Sequence, residues 1–205
     1  MIRRADRKKL VTQQRQEQIL EAALRVFSER GYDRSTMPDI AREAGIAVGT
    51  IYNYYKGKRD LLITIAKKNI IDPFTSIVEQ QTSAEGPAFI FALLKNRLDF
   101  GLDNVSKFLP LLFEAHRDEE LRRMYTERVL QPVMKIMEEF LVKGMKEGTI
   151  REIEPSIVTR ANGGMVIGFL LLYLIEGEQS PVRNFDNRKL AEELAGLIFQ
   201  GLRKQ

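Results

Sequence analysis

The sequence contains no cysteine and no tryptophan, and its only histidine is His116. Without cysteine the chain forms no disulfide, no thiolate metal site and no cysteine nucleophile, a composition that fits a reducing cytoplasm. A metal site would have to use carboxylates alone. The motifs of phosphate-binding loops, dinucleotide sites, serine hydrolases and zinc proteases are also missing. We therefore expect neither an enzyme nor a bound cofactor or metal.

Long uncharged segments are scarce as well. The longest, residues 161–175, would span about 22 Å as a helix, less than the roughly 30 Å hydrocarbon core of a bilayer. The N-terminus, Met1-Ile-Arg-Arg, lacks the apolar segment of a signal peptide. We expect a cytoplasmic protein with no membrane contact, in which residues 161–175 form a buried helix.

Positive charge is concentrated near the N-terminus. Residues 1–60 hold 13 Lys and Arg against 8 Asp and Glu, whereas the other 145 residues hold 19 against 20. A polyanionic partner would require such an excess at the surface that it contacts. The first nine residues are either a solvated tail or a basic arm along a DNA backbone. Their cations are Arg3, Arg4, Arg7, Lys8 and Lys9.

Residues 36–54 have the pattern of two short helices around a tight turn. Thr36 is a suitable N-cap, Asp39 stands three residues later as in a capping box, and Pro38 falls in the first turn. Gly45 ends the first helix and the second covers residues 48–54. A helix pair with a short glycine-containing turn is the helix-turn-helix unit.

The second helix of this pair predicts a nucleic-acid surface. Ile51 and Tyr55 are expected to be buried, which leaves hydroxyls, an amide and aromatic edges outside, with no carboxylate. Such groups contact bases and phosphates. The outward residues are Val48, Gly49, Thr50, Tyr52, Asn53 and Tyr54.

A third helix is expected to begin after Gly57, with Lys58 and Arg59 in its first turn. Cations there oppose the helix dipole by roughly 0.3–1 kcal/mol each, a cost that is offset when an anion docks at the helix N-terminus. Lys58 is therefore interpreted as a ligand of a DNA phosphate. Taken alone, a merely solvated Lys58 is the alternative.

The segment Gly49-Thr-Ile-Tyr-Asn-Tyr-Tyr-Lys-Gly-Lys-Arg-Asp-Leu-Leu62 closely resembles the signature of the tetracycline-repressor-like (TetR) family. Residues 19–32 resemble the first helix of that family, so the resemblance covers about residues 12–65. It implies a homodimeric, all-helical repressor that a ligand releases from DNA. The positions that match frequent DNA contacts in the family are Thr36, Thr50, Tyr52, Tyr54 and Lys58.

Two residues depart from the family pattern. Ala47 stands where a serine is frequent at the start of the recognition helix, and Pro38 stands where some members carry a base-reading Arg or Lys. We therefore expect few direct contacts with bases, so that sequence recognition depends more on Thr50, Asn53 and the shape of the DNA. We still include Ala47 in the predicted DNA-binding surface.

The remaining chain reads as further helices. A first helix is expected over residues 11–30, and a break near residues 102–105 is expected to separate two later helices. We expect an all-α fold with a three-helix helix-turn-helix DNA-binding domain in residues 1–57. Residues 58–205 are expected to form a larger helical domain for effector binding and dimerisation.

The helix around residues 163–175 is apolar nearly all round and needs cover on several sides. A partner subunit would supply that cover through a four-helix bundle with the last helix. A central core helix in a monomer is the alternative. The predicted interface residues are Gly164, Gly168, Leu171, Leu194 and Ile198.

The middle helices are rich in Phe and Met, which are more often plain core than the lining of a ligand pocket. An apolar or amphipathic effector is nevertheless possible there. His116 is either a contact of that ligand or an ordinary surface residue. The candidate pocket residues are Phe100, Phe113, His116, Tyr125, Met134, Met137 and Tyr173.

The sequence thus predicts a homodimeric, ligand-responsive transcriptional regulator, acting as a repressor on a double-stranded and pseudo-palindromic operator. The family resemblance implies that the effector tilts the helix beginning at Lys58 and so changes the spacing of the recognition helices. One rival interpretation is a helix-turn-helix scaffold or protein-interaction module without a ligand-controlled role. The other is an enzyme in the C-terminal domain, although the sequence has no nucleophile–base set.

Overall fold

The computed structural model describes residues 4–80 and 86–203, and within these ranges it consists of helices joined by turns and loops, with no β-strand. The predicted all-α fold is therefore confirmed. The ten α-helices of the described ranges are α1 (Arg4–Arg30), α2 (Met37–Ala44), α3 (Val48–Tyr52), α4 (Lys58–Ala66), α5 (Asp72–Gln80), α6 (Gly86–Arg117), α7 (Glu119–Tyr125), α8 (Gln131–Lys146), α9 (Pro155–Glu176) and α10 (Asn187–Leu202).

Two helix boundaries differ from expectation. Helix α1 begins at Arg4, so the basic residues after it are part of a helix rather than an extended arm. Helix α6 is continuous where a break was expected near residues 102–105. The reason lies at Gly101, where an added Cβ would come within 2.8 Å of Leu170 Cδ1. This glycine permits the close approach of α9 and does not end a helix.

By contacts the described chain divides into two compact units. The first contains the chain up to Lys67 together with Lys107–Tyr125, and the second contains Lys68–Ser106 and the chain from Thr126. In the first unit the apolar stripe of α1 is buried, as its helical spacing predicts. Its core includes Ile19, Phe27, Ile40, Ile51 and Leu61, each at most 1% exposed.

The second unit is built from α5, the first part of α6, and α8 to α10. One buried cluster contains Leu94, Leu98, Leu141 and Ile198, and a second contains Phe74, Phe89 and Val133. Phe140 packs against both clusters and stacks on Phe89 with ring centroids 4.4 Å apart. The apolar residues of this unit therefore form a single core around Phe140.

Two π-helical segments interrupt the second unit, Lys67–Ile71 and Thr126–Leu130. Each is followed by a helix with proline at its second position, Pro73 in α5 and Pro132 in α8. Proline has no N–H, and its ring crowds the carbonyl four residues earlier, so the helix widens there. For Pro73 that carbonyl belongs to Asn69, which instead accepts a hydrogen bond from Arg97 Nη1 at 3.1 Å.

Candidate DNA interface and ligand cavity

The helix-turn-helix is held by its own capping groups. The Thr36 hydroxyl accepts from the Asp39 N–H at 3.3 Å, and the Thr36 N–H donates to Asp39 Oδ2 at 3.2 Å, which completes a capping box. Gly45 has a φ of 65° and its N–H donates to Arg42 O at 3.1 Å, ending α2 in the left-handed conformation that glycine adopts readily. These contacts fix the turn that leads into α3.

The Asp39 carboxylate also engages the side-chain hydroxyl of Thr36. The Thr36 hydroxyl donates to Asp39 Oδ2 at 2.5 Å, while Arg30 and Arg42 pair with Asp39 Oδ1 at 3.0 and 3.1 Å. The hydrogen bond from Thr36, aided by these cations, lowers the pKa of the Asp39 carboxyl. Because its hydroxyl proton is committed to Asp39, Thr36 serves the helix start in this conformation. Its predicted contact with a phosphate remains a prediction.

Helix α3 presents the surface that the sequence predicts. Ile51 and Tyr55 are buried, and burial raises the pKa of Tyr55 to about 12, so its hydroxyl stays neutral. Tyr52 is 55% exposed. The helix ends at Tyr52, shorter than the expected residues 48–54. Ala47, Gly49 and Asn53 are exposed as well, and Val48, Thr50 and Tyr54 are half-buried.

Lys58 begins α4, as predicted, but its ammonium group is already engaged. Nζ donates to Tyr32 O at 2.7 Å and to Asp33 O at 3.1 Å, and it lies 4.3 Å from the centre of the Tyr32 ring. An ammonium group has three donors, so one remains for a phosphate. Lys58 therefore ties the start of α4 to the turn after α1, and its role at DNA stays a prediction.

Arg59 is neutralised within its own unit. It donates to Asp118 Oδ2 and to Glu120 Oε2, at 2.8 and 2.7 Å. The hydrogen bond to Asp118 raises the pKa of Arg59, and the Leu121 N–H together with Arg59 lowers the pKa of the Asp118 carboxyl. Both shifts agree that this is a formed ion pair. Of the two cations in the first turn of α4, only Lys58 has no carboxylate partner among the described residues.

The structure instead points to Lys56, which the sequence interpretation passed over. Lys56 lies exposed between α3 and α4, and its side chain pairs with no residue of the described ranges. Its backbone N–H donates to Asp60 Oδ2 at 3.0 Å, which fixes the turn. The available signal was a lysine directly after the buried Tyr55, at the point where the chain leaves the recognition helix.

The second unit contains an apolar cavity of about 90 Å³. Thirteen of its sixteen lining residues are apolar or glycine, including Phe74, Leu93, Met134, Met137 and Phe140. The three polar exceptions are Arg97, Thr159 and Asn162. Such a composition, mostly apolar with a few polar groups, is typical of small-molecule sites.

Two of the seven predicted effector residues, Met134 and Met137, line this cavity. The other described candidates do not line the cavity. Phe113 is 59% exposed, and Tyr125 is in the first unit. The ring of Tyr173 lies 4.6 Å from the guanidinium carbon of Arg183. Phe100 is half-buried and is not among the lining residues. The side chain of His116 falls outside the described part of the structure. Helical spacing identified Phe and Met but not which helix faces meet.

Helix α9 is only partly covered by its own chain. Pro155–Gln179 is long and apolar enough to cross a membrane by length and composition, yet only 6% of its apolar window is buried. The expectation of a buried helix is therefore wrong for the isolated subunit. The exposed side chains include Ile157, Ile167, Leu172 and Ile175, between 48 and 70% exposed.

Three of the five predicted interface residues, Gly164, Gly168 and Leu171, are on α9, whereas Leu194 and Ile198 are on α10 and pack at the core. Gly164 is exposed, and Gly168, Leu171 and Leu194 are half-buried. At about 100° per residue, Gly164, Gly168 and Leu171 lie on the same side of α9 as the exposed isoleucines. Ile198 is buried and lines the cavity, while the neighbouring Leu197 is 63% exposed.

Comparison with known proteins gives the family. Residues 19–65 match the model for bacterial regulatory proteins of the tetR family. The chain is also 30% identical over 138 residues to the fatty acid metabolism regulator protein of Bacillus subtilis, covering 66% of this chain and 70% of that protein. The chain belongs to the TetR family.

Solved structures share the fold of this TetR-family chain. The transcriptional regulator FadR from Bacillus subtilis, in complex with stearoyl-CoA, superposes with a TM-score of 0.77 at 23% identity and covers 90% of this chain and 98% of its own. The fatty acid degradation regulator FadR from Bacillus halodurans gives 0.76 at 23% identity, over 93% and 97%.

Family membership confirms the predicted function of a DNA-binding, ligand-responsive transcriptional regulator of the repressor type. The scaffold alternative is not favoured. The relatives are transcriptional regulators and not enzymes. TetR-family regulators bind operator DNA and small molecules, and this chain carries both an exposed recognition helix and an apolar cavity.

A salt titration tests Lys56 as a phosphate ligand of this TetR-family protein. Removing one phosphate contact reduces the slope of log K against log salt by about one unit. We expect Lys56→Ala to do so per subunit and to weaken all DNA sequences alike. Lys189→Ala, which removes a lysine already paired with Glu193 at 2.6 Å, is the control and should leave the slope unchanged. Equal slopes for the wild type and Lys56→Ala would exclude this role.

Proposed function

We propose that this protein is a cytoplasmic homodimeric repressor that binds a pseudo-palindromic operator and leaves it when a ligand with a long hydrocarbon chain enters the cavity of the second unit. The observation that carries the DNA-binding part is the orientation of α3. Ile51 at 0% exposure anchors the helix inward, while Tyr52 at 55% faces solvent. The scaffold of α1, α2 and α4 thus holds one polar face ready for a major groove.

The residues of this face divide by chemistry. Thr50 and Asn53 carry the hydroxyl and amide that contact base edges, and the Tyr52 and Tyr54 hydroxyls suit phosphates or sugar. Lys56 and Lys58 add positive charge at the end of α3, and Lys58 keeps one hydrogen-bond donor for a phosphate. The start of α3 can approach the DNA closely, because its residues Ala47, Val48 and Gly49 are small. The space beside Gly49 is open, since nothing lies within 4 Å of a Cβ added there.

The exposed side of α9 supports dimerisation through α9 and α10. The opposite side packs inside the subunit, where Leu170 meets Gly101 and where Thr159 and Val166 line the cavity. A helix that is packed on one side and apolar on the other fits an interface between subunits better than a bilayer. A two-fold axis would place the same face of a second copy against it. We propose the interface residues Gly164, Ile167, Gly168, Leu171, Leu172, Ile175, Leu194 and Leu197.

Three observations support the proposed effector class: the apolar cavity, a relative named for fatty acid metabolism, and a structural neighbour in complex with stearoyl-CoA. At about 90 Å³ the cavity is smaller than the roughly 300–1,000 Å³ of pockets that bury drug-sized ligands. A long chain would therefore have to open it. The flexible thioethers of Met134 and Met137 are suited to move aside. A ligand that binds only the opened form shifts the population toward that form.

Fluorescence anisotropy with DNA from upstream of its own gene tests the proposal. We expect preference over competitor DNA, and at least a tenfold loss of affinity with saturating stearoyl-CoA, within the usual range of allosteric coupling. Coenzyme A without an acyl chain is the control and should have no effect. Absence of any sequence preference would contradict operator binding. Preference that no acyl compound weakens would contradict the effector class alone.

A further inference from the structure

We propose that Arg97 and Thr159 select the effector within this cavity, with Arg97 binding an anionic group attached to the hydrocarbon chain and Thr159 hydrogen-bonding a polar atom of the same ligand. The inference rests on the proposed function, because it assigns the polar contacts of the same effector site. It identifies the ligand as an acid or another anion, and it excludes neutral chains of the same length as good effectors.

Among the described residues that line the cavity, Arg97 is the only charged one. It is half-buried, its carbon Cζ lies 5.5 Å from the centre of the Phe74 ring, and no carboxylate of the described residues pairs with it. Its surroundings are apolar enough that burial lowers the pKa of its guanidinium to about 10. A desolvated cation without a counter-charge is costly, and an incoming anion would remove that cost.

The hydrogen bonds of Arg97 leave room for such an anion. Nη1 donates to Asn69 O at 3.1 Å, and Nε and Nη2 both donate to Asn96 Oδ1. A guanidinium has five N–H donors, so three are in use and one remains on each terminal nitrogen. Two parallel donors of this kind form the fork that binds carboxylate or phosphate bidentately.

The position of Arg97 is fixed before any ligand arrives. The Asn69 carbonyl, four residues before Pro73, accepts a hydrogen bond from Arg97 Nη1, which ties this side chain of α6 to the π-helical segment before α5. The second contact of the guanidinium is with the ring of Phe74, the residue after Pro73 in α5. A side chain anchored at two points loses little further freedom on binding, which favours affinity.

Thr159 supplies an independent observation. Thr159 is 2% exposed and lines the cavity from α9, and its hydroxyl Oγ1 has no hydrogen-bond partner among the residues that the structure describes. Buried hydroxyls are normally satisfied, so one that is not is a candidate for a ligand contact. A thioester or carboxyl oxygen of the ligand would provide the missing partner.

Titration calorimetry with the full-length protein and three probes tests the assignment. The probes are dodecanoate, dodecanoyl-CoA and the neutral dodecanol. Wild type should bind at least one of the two anions more tightly than dodecanol, and the comparison of the two anions shows whether Arg97 takes a free carboxylate or a coenzyme A phosphate. Arg97→Met keeps the length of the side chain and removes its charge. It should weaken the preferred anion about 10- to 100-fold and leave dodecanol unchanged.

Three further variants separate recognition from structure. Arg97→Lys keeps the charge but not the fork and should retain part of the affinity. Arg188→Met, which removes an exposed arginine paired with Glu192, should change nothing. Thr159→Val should raise the melting temperature of the unliganded protein, because it removes an unsatisfied hydroxyl, while it weakens binding of the anion. A purely structural threonine would not give this combination.

The outcomes distinguish the two proposals. If wild type binds none of the three probes, the effector class proposed above fails, and this inference fails with it. If wild type binds acid and alcohol equally, and Arg97→Met does the same, the cavity remains the effector site but selection by Arg97 is wrong. Should Arg97→Met fail to fold, the comparison of probes on wild type, Arg97→Lys and Thr159→Val decides the matter.

Discussion

Replacing Ile167 and Leu172 together by glutamate is expected to yield a folded monomer that has lost most of its affinity for operator DNA. Both side chains are about half exposed in the subunit, at 48 and 59%, so the substitutions create no buried charge within one chain. In the proposed dimer the same positions are buried against a second copy, where four unpaired carboxylates are strongly unfavourable. Subunit association should therefore fail while each subunit stays folded.

The effect on DNA follows from losing the second recognition helix. Two linked sites bind more tightly than one by about 10²- to 10⁴-fold, so a monomer should bind a half-site that much more weakly than the dimer binds the full operator. Sedimentation equilibrium measures the assembly, and anisotropy measures the affinity. Leu130→Glu, at a 40% exposed leucine outside α9 and α10, is the control. A double variant that sediments as the wild type does would refute the proposed interface.

Gly144→Ala is expected to be the most destabilising single-methyl change in the second unit. A Cβ at this position would lie 2.5 Å from Ile150 Cδ1, 2.8 Å from Cγ1 and 3.3 Å from Cβ of the same residue. Ile150 is 4% exposed and cannot turn away easily, since the Gly144 carbonyl also accepts its N–H at 3.1 Å. Overpacking of this kind costs about 1–3 kcal/mol, enough to offset the higher helix propensity of alanine.

Thermal unfolding measures the change. For a chain of this size each 1 kcal/mol shifts the midpoint by about 2–4 °C, so a clear decrease is expected. Gly201→Ala is the matched control, because Gly201 also lies in the last turn of a helix and an added Cβ meets nothing within 4 Å. That variant should unfold at or above the wild-type temperature. If the two variants change the unfolding midpoint equally, the contact with Ile150 does not contribute to the destabilisation.

Local signals in the sequence were sufficient to predict α1 and the helix-turn-helix. Thr36, Asp39 and Gly45 cap or end α2 through groups that are close in the chain, and the 3.6-residue spacing of α1 predicts its buried face. The outward face of α3 followed in the same way, once Ile51 was assigned to the core. These features depend on residues within one or two turns of each other, which is why a sequence pattern can reveal them.

Several features that the sequence did not reveal depend on distant residues. Arg59 pairs with Asp118, 59 positions later, and Gly101 permits an approach of Leu170 from another helix. The cavity brings together α5, α6, α8, α9 and α10, so composition identified Met134 and Met137 but not Arg97 or Thr159. The π-helical turn before Pro73 is intermediate, because the proline predicted a kink but not the hydrogen bond that Arg97 donates to the Asn69 carbonyl.

The brevity of α3 has an evolutionary consequence. A five-residue helix whose N-cap, Ala47, provides no side-chain hydrogen bond has little stability alone, and its order depends on Ile51 and on neighbouring helices. Tyr52 and Asn53 contribute little to that packing, and substitutions at such exposed positions usually change stability by no more than about 0.5 kcal/mol. In the proposed complex Asn53 contacts base edges, so mutations at Asn53 would retarget the protein to new promoters without endangering its folding, and the genes under its control could diverge faster than its architecture.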